Sequence, residues 1–221
     1  MHSQFPDDVL GRIETTGVIA VLVLDNEDHA VPLAEALLAG GVDAMELTLR
    51  TDAAIGGLKR IRRDVPEMLA GIGTVLNCDQ VDQVVSAEAH FAVAPGLNRR
   101  VVEHARQKGL PFAPGVMTPS DVEAALELGC RELKFFPAEP IGGLKTLDSI
   151  RAPYAHLGIR FVPLGGINAG NMANWLRNDG VFAVGGSWLA PRDLIAAQDW
   201  AEITRRASEA RRIAETVAGE K

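Results

Sequence analysis

The sequence predicts an α/β chain of one class, a (β/α)8 TIM barrel with an N-terminal helix, and three observations point there. Eight short β-rich runs recur along the 221 residues: VIAVLVL from Val18, AMELTL from Ala44, MLAGIG from Met68, FAVAP from Phe91, PFAPG from Pro111, ELKFF from Glu132, RFVPLGG from Arg160 and VFAVGG from Val181. Their starts lie roughly 20 to 28 residues apart, room for one strand and one returning helix, and eight such units in series are the count of this barrel. The intervening segments carry helix punctuation. An open doubly wound sheet would use the same alternation, but no G-x-G-x-x-G follows the first strand.

Val18 to Leu24 is the longest uninterrupted apolar run. It falls far short of the roughly 20 residues that span a bilayer, so it reads as a buried strand. After Asp28, HAVPLAEALLAGG sets Val31, Ala34, Leu37 and Leu38 on one helical face and stops at two glycines, with Pro32 early enough for the first turn. MELTLR alternates: Glu46, Thr48 and Arg50 share one face, and Met45, Leu47 and Leu49 share the other. The apolar face suits the surrounding helices, which turns the charged face into the barrel. In MTPSDVEAALELGC, Thr118 is a natural N-cap, Pro119 a natural first helical residue and Gly129 a natural stop. On the sixth strand Leu133 and Phe135 share one face, and Glu132, Lys134 and Phe136 the other. The last two strands end in PLGGIN and VGGSWL. At the C-terminus Trp200, Ile203, Ala207, Ala210, Ala214 and Val217 form one face of an amphipathic helix, with Arg205, Arg206, Arg211 and Arg212 as its solvated side. No low-complexity linker or charge block divides the chain, so residues 1–221 read as a single domain.

Composition narrows the function. With 47% hydrophobic and 23% charged residues the chain can build one full core. A net charge of -7 argues against nucleic-acid or anionic-membrane partners, which need a basic footprint. MHSQFPDDVLGRIETTG has neither a basic leader nor an apolar segment of signal-peptide length, and a cytoplasmic location follows as the expectation. Cys78 and Cys130 lie far apart and read as two reduced, half-buried thiols. The five histidines, His2, His29, His90, His104 and His156, fall at the terminus, in predicted helices or before strands, so no metal is expected.

In a barrel the residues at the C-terminal ends of the strands line the active face. Lys134 stands in the middle of a buried strand, a place lysine is excluded from unless something pairs with it or uses it. Burial against aromatic groups disfavours the ammonium form of a lysine, and a neutral amine condenses with ketones to an imine that accepts electrons from a breaking carbon–carbon bond. Glu46 could move the protons of such a cycle. The plain alternative is a structural ion pair, Glu46 with Arg50 or with Lys134. The glycine pairs Gly165-Gly166 and Gly185-Gly186 end the last two strands, where barrels of this kind bind phosphate through open backbone N–H groups, with Ser187 able to add a hydroxyl. Alone, each pair reads equally as a tight turn that needs positive φ.

The motifs HAVPLAEALLAGG, ELTLRT, GIGTVLN, APGLN, KFFPAE with the following GGLK, PLGGIN and GGSWL resemble, over nearly the whole chain, those of the 2-keto-3-deoxy-6-phosphogluconate (KDPG) and 4-hydroxy-2-oxoglutarate (KHG) aldolases. The resemblance implies a class I lyase of carbohydrate metabolism, in the Entner-Doudoroff pathway, that cleaves KDPG to pyruvate and glyceraldehyde 3-phosphate without a metal or other cofactor. It implies Lys134 as the Schiff-base amine and Glu46 as general acid/base, partly through water. Arg50 and Thr74 would bind the pyruvyl carboxylate, Pro95 and Phe136 would shape the pocket, and Gly165, Gly166, Gly186 and Ser187 would take the phosphate. It also implies a homotrimer of barrels.

Two positions depart from the family pattern. Leu164 stands where Pro-Thr-Gly-Gly is common, and the related galactonate-type aldolases tend to be aliphatic there, so a galactonate-type, a stereochemically relaxed or a KHG-cleaving enzyme stays open. Ala20 replaces a frequent Pro in the first strand. Three rivals remain: a metal-dependent aldolase, an isomerase on a related phosphate-binding barrel, and a barrel that only binds phosphorylated sugar acids.

Overall fold

The computed structural model describes residues 3–220. Each apolar run contributes a strand. β1 (Val18–Leu22), β2 (Ala44–Thr48), β3 (Leu69–Gly73), β4 (Ala92–Val93) and β5 (Phe112–Ala113) pair with β9 (Val184–Gly186) in the order β5-β4-β3-β2-β1-β9, while β6 (Gly115–Val116), β7 (Glu132–Phe135) and β8 (Arg160–Pro163) form a second sheet. Every pairing is parallel. The predicted fifth strand is β5 and β6 together, divided at Pro114, which has no N–H to give to a ladder. On the far side the sheets meet through a parallel bridge between Phe161 and Val181. The result is the expected eight-staved (β/α)8 barrel.

Among the described residues ten α-helices accompany the staves: α1 (Asp7–Thr16), α2 (Ala30–Ala39), α3 (Ala53–Asp64), α4 (Cys78–Ser86), α5 (Arg99–Gln107), α6 (Pro119–Glu127), α7 (Gly143–Arg151), α8 (Met172–Leu176), α9 (Arg192–Ala197) and α10 (Trp200–Glu220). α6 has the predicted punctuation, with a full capping box: Thr118 Oγ1 accepts from the Asp121 N–H at 3.2 Å, and Asp121 Oδ2 accepts from the Thr118 N–H at 3.0 Å. α2 buries Ala30, Leu33, Ala34 and Leu37, a face turned slightly from the expected one, with Val31 and Leu38 only half-buried. Its sequence is apolar nearly all round, so periodicity alone left the rotation open. The arginines of α10 differ from expectation too. Arg206 donates to the Trp188 carbonyl at 2.9 Å and Arg211 to that of Thr16 at 3.3 Å, so two of the four tie the helix to neighbouring elements.

Strand alternation sorts the core into two layers. Residues such as Ala20, Met45, Leu47, Ile72, Leu133, Phe135 and Phe161 pack outward against the helices. Ile19, Leu69, Phe91, Val93, Ala113, Val162 and Leu164 fill the barrel interior together with Phe5, Val9, Leu10 and Ile13, so that α1 and the residues before it close the N-terminal mouth. Glu132 also sits on this floor, 3% exposed, accepting from Ser3 Oγ at 2.8 Å and Arg160 Nη2 at 3.3 Å. Burial pushes its carboxyl above the usual range, opposed by the Ser3 hydrogen bond. Both cysteines are free; Cys130 is fully buried rather than half-buried, and its thiol is pushed up to about 12 by burial and then by the Glu132 carboxylate. None of the described helices is long and apolar enough to cross a membrane.

Candidate active site

Lys134 and Glu46 are 88 residues apart in sequence and come from staves that do not pair with one another. Barrel closure brings Lys134 Nζ to 3.5 Å from Glu46 Oε1. Both point inward because 132, 134 and 136 alternate with the helix-facing Leu133 and Phe135, and 46 and 48 with Met45 and Leu47. The two residues are 6% and 2% exposed. Beneath them lies the apolar floor of Ile13, Ile19, Phe91, Val162 and Phe182. Beside the amine, the Phe136 ring centroid lies 5.5 Å from Nζ. A contact of 3.5 Å is the outer limit of a hydrogen bond, so the pair is close enough to exchange a proton and loose enough to admit a reacting group.

Above this pair opens a cavity of about 330 Å³ at the C-terminal ends of the strands. Its walls contain all ten residues singled out from the sequence: Lys134, Glu46, Arg50, Thr74, Pro95, Phe136, Gly165, Gly166, Gly186 and Ser187. Val21, Thr48, Leu164, Ile167 and Gly185 complete the lining. Of the two ion pairs weighed for Glu46, the one with Lys134 forms. Arg50 instead donates from Nε to Thr48 Oγ1 at 3.1 Å, and among the described residues it pairs with no carboxylate. Its charge is open to an anion at the cavity mouth.

Thr48 is a site residue the sequence reading passed over, although it shares the inward face of Glu46 and Arg50. It is 3% exposed, its hydroxyl donates to the Leu22 carbonyl at 2.9 Å, and the same oxygen accepts from Arg50. Arg50 is thereby aimed by a chain of two hydrogen bonds anchored in β1. Thr74 carries a feature invisible in the string. Its φ is +65°, a left-handed conformation that costs a β-branched residue about 1–3 kcal/mol. It is held there by the Leu49 N–H on the Gly73 carbonyl at 2.9 Å and by the Val75 N–H on the Val93 carbonyl at 3.3 Å.

At the opposite wall Gly165 and Gly166 follow β8 with φ of +95° and +85°, values that glycine alone tolerates without strain. The carbonyls of Leu164 and Gly165 are taken by the N–H groups of Ala138 and Glu139, at 2.7 and 3.0 Å. Among the described residues the N–H groups of Gly165 and Gly166 donate to no acceptor. Such a pair of free donors is an anion cradle. The cavity therefore has a cation on one side, unpaired backbone donors on the other, and an amine with a proton acceptor at its base. That suits a small molecule that is anionic at both ends with a carbonyl between. No group of three or more His, Cys, Asp or Glu side chains among the described residues is arranged to hold a metal; His2 lies outside the described residues.

Comparison with known proteins agrees with this geometry. The profile of the family described as KDPG and KHG aldolase matches residues 9–206. The KHG/KDPG aldolase of Escherichia coli K12 is 43% identical over 90% of this chain and 92% of its own. The crystal structure of the 2-keto-3-deoxy-6-phosphogluconate aldolase of Zymomonas mobilis ZM4 with 3-phosphoglycerate superposes with a TM-score of 0.85, at 40% identity over 92% of this chain and 94% of that one. A KDPG aldolase from Legionella pneumophila, with pyruvate captured as a covalent carbinolamine intermediate, superposes with a TM-score of 0.87 at 36% identity, covering 91% and 97%.

Proposed function

The chain belongs to the KDPG and KHG aldolase family, and on that basis we propose that it is a class I aldolase cleaving 2-keto-3-deoxy-6-phosphogluconate to pyruvate and glyceraldehyde 3-phosphate, with activity on 4-hydroxy-2-oxoglutarate as well. The observation that carries the reading is the buried Lys134 Nζ, 3.5 Å from Glu46 Oε1, at the base of a cavity with an unpaired arginine at one wall and open glycine N–H groups at the other.

Lys134 adds through Nζ to the C2 ketone, and Glu46, its nearest base, moves the protons that turn the carbinolamine into a protonated imine and water. Arg50 and Thr74 hold the carboxylate, with the guanidinium as the charged partner. Pro95 and Phe136 confine the carbon chain. Glu46 or a water it orients takes the C4 hydroxyl proton, the C3–C4 bond breaks, and its electrons pass into the iminium. Glyceraldehyde 3-phosphate leaves, with Gly165, Gly166, Gly186 and Ser187 releasing the phosphate. Protonation of the enamine at C3 and hydrolysis return pyruvate and the free amine. The chemistry needs no metal, and EDTA is expected to leave turnover unchanged.

Leu164 carries a second reading of the substrate. Its side chain lines the cavity against Gly185 and offers no hydroxyl where the Pro-Thr-Gly-Gly pattern of the family it resembles has a threonine. We therefore expect relaxed discrimination between gluconate- and galactonate-type substrates, to be read from kcat/KM on the two C4 epimers. A substrate carrying both a carboxylate and a phosphate does not cross membranes unaided, which supports a cytoplasmic enzyme. We take the chain as one domain and the assembly as a homotrimer, for which light scattering would return about three times the chain mass of 23.6 kDa.

Reductive trapping tests the core of the proposal. Incubation with pyruvate and borohydride, followed by digestion and mass spectrometry, is expected to place the adduct on Lys134 alone. A folded protein that gives no adduct would return Lys134 to the role of a structural ion pair.

A further inference from the structure

KFFPAE ends in Glu139, a residue to which the mechanism above gives no part. Glu139 touches the glycine loop after β8 in three ways. Its N–H donates to the Gly165 carbonyl at 3.0 Å. Its Cβ and Cγ lie 2.6 and 2.8 Å from where a Cβ on Gly166 would stand, so the Glu139 side chain packs against this stretch of the loop only because Gly166 has no side chain. Its Oε1 accepts from Trp175 Nε1 at 2.7 Å and from Asn171 Nδ2 at 3.2 Å, and the same Asn171 amide nitrogen donates to the Gly166 carbonyl at 3.0 Å. Trp175 is 1% exposed and packs against Phe135, the residue next to Lys134. Asn168 supports the arrangement, donating from Nδ2 to the Gly166 carbonyl at 3.3 Å.

We propose that Glu139 is a positioning residue that holds the glycine loop in its anion-binding shape and thereby sets the preference for phosphorylated over unphosphorylated substrates; the inference rests on the reading of that loop as the phosphate site. Two adjacent glycines have the largest conformational freedom to lose, and donors that must reorganise on binding contribute less than donors already in place. With the carbonyls of Gly165 and Gly166 both pinned on the Glu139 side, the free N–H groups stay on the cavity side. A carboxylate suits the task, since its charged oxygen makes stronger bonds to the indole and amide donors than a neutral acceptor would. The buried indole fixes the other end of the clamp to the core.

The test compares kcat/KM for 2-keto-3-deoxy-6-phosphogluconate with that for 4-hydroxy-2-oxoglutarate in the wild-type protein and in Glu139→Ala, Glu139→Gln and Asn171→Ala. The ratio is expected to fall about tenfold in Glu139→Ala and in Asn171→Ala, chiefly through KM for the phosphorylated substrate, as loss of a charge-assisted hydrogen bond implies. Glu139→Gln keeps an acceptor oxygen and is expected to restore most of the ratio. Equal losses on both substrates, or an unchanged ratio in both truncations, would overturn the inference. A wild-type protein without preference for the phosphorylated substrate would refute the phosphate reading itself, and the inference with it. Should Glu139→Ala fail to fold, Asn171→Ala carries the comparison alone.

Discussion

The placement of the Glu46 carboxylate depends on the absence of one carbon atom. An ideal Cβ built on Gly73, in β3, would stand 2.6 Å from Glu46 Oε1 and 3.0 Å from its Cδ. Gly73 has an ordinary strand backbone, so Gly73→Ala brings no φ strain, and alanine is favoured over glycine in a strand interior by about 0.5–1 kcal/mol. The conflict is confined to the carboxylate, which must withdraw by about 1 Å to recover a normal van der Waals contact. Withdrawal toward the cavity alters the 3.5 Å approach to Lys134. A misplacement of that size costs about 10²-fold in rate, or about 2.7 kcal/mol of transition-state stabilisation. Steady-state pyruvate release should show the loss in kcat with KM little changed, while the melting temperature stays within a few degrees, about 1 kcal/mol in either direction. A variant that folds normally and keeps kcat within about threefold of wild type, less than 1 kcal/mol, would refute the argument that the carboxylate position sets the rate.

Three further outcomes follow from the same geometry. Lys134→Met should lose the borohydride-trapped adduct and slow cleavage on the order of 10³-fold or more, and because it leaves a buried carboxylate without its cation, a companion Glu46→Gln substitution should recover part of the lost melting temperature. Thr48→Val removes both the anchor on Leu22 and the acceptor for Arg50, so KM for substrates bearing the pyruvyl carboxylate should rise about tenfold with kcat nearly constant; an unchanged KM would mean that Arg50 is aimed by something else. Glu132 gives a pH signature. Its carboxyl is raised in the folded state, so between the ordinary value of 4.5 and the raised one the folded protein binds more protons than the unfolded chain and stability falls as pH rises; Glu132→Gln should flatten that fall in melting temperature, and a parallel profile would assign it to other groups.

The order of strands and helices, and the face of each strand that carries chemistry, can be read from the residue pattern. β-branched and apolar runs at βα spacing leave few topologies open, and strict alternation in MELTLR and ELKFF assigns Glu46 and Lys134 to the inward side once helices cover the other. Local punctuation, such as the Thr118 cap and Gly129 stop, was legible because it depends on residues a few positions apart. The rotation of α2 was not, because a helix apolar all round has no preferred face until neighbours choose one.

The relations that span the barrel arise only on folding. Whether Glu46 pairs with Arg50 or Lys134 depends on how two non-adjacent staves face each other after closure, and no local pattern encodes that distance. Thr48 as the anchor of Arg50, the left-handed Thr74, and the grip of Glu139 on Gly166 belong to the same class. Each joins residues whose separation in space is fixed by the ring of staves rather than by the chain between them. Alternation along a strand is a property of the backbone, whereas the meeting of side chains across a barrel is a property of the whole fold.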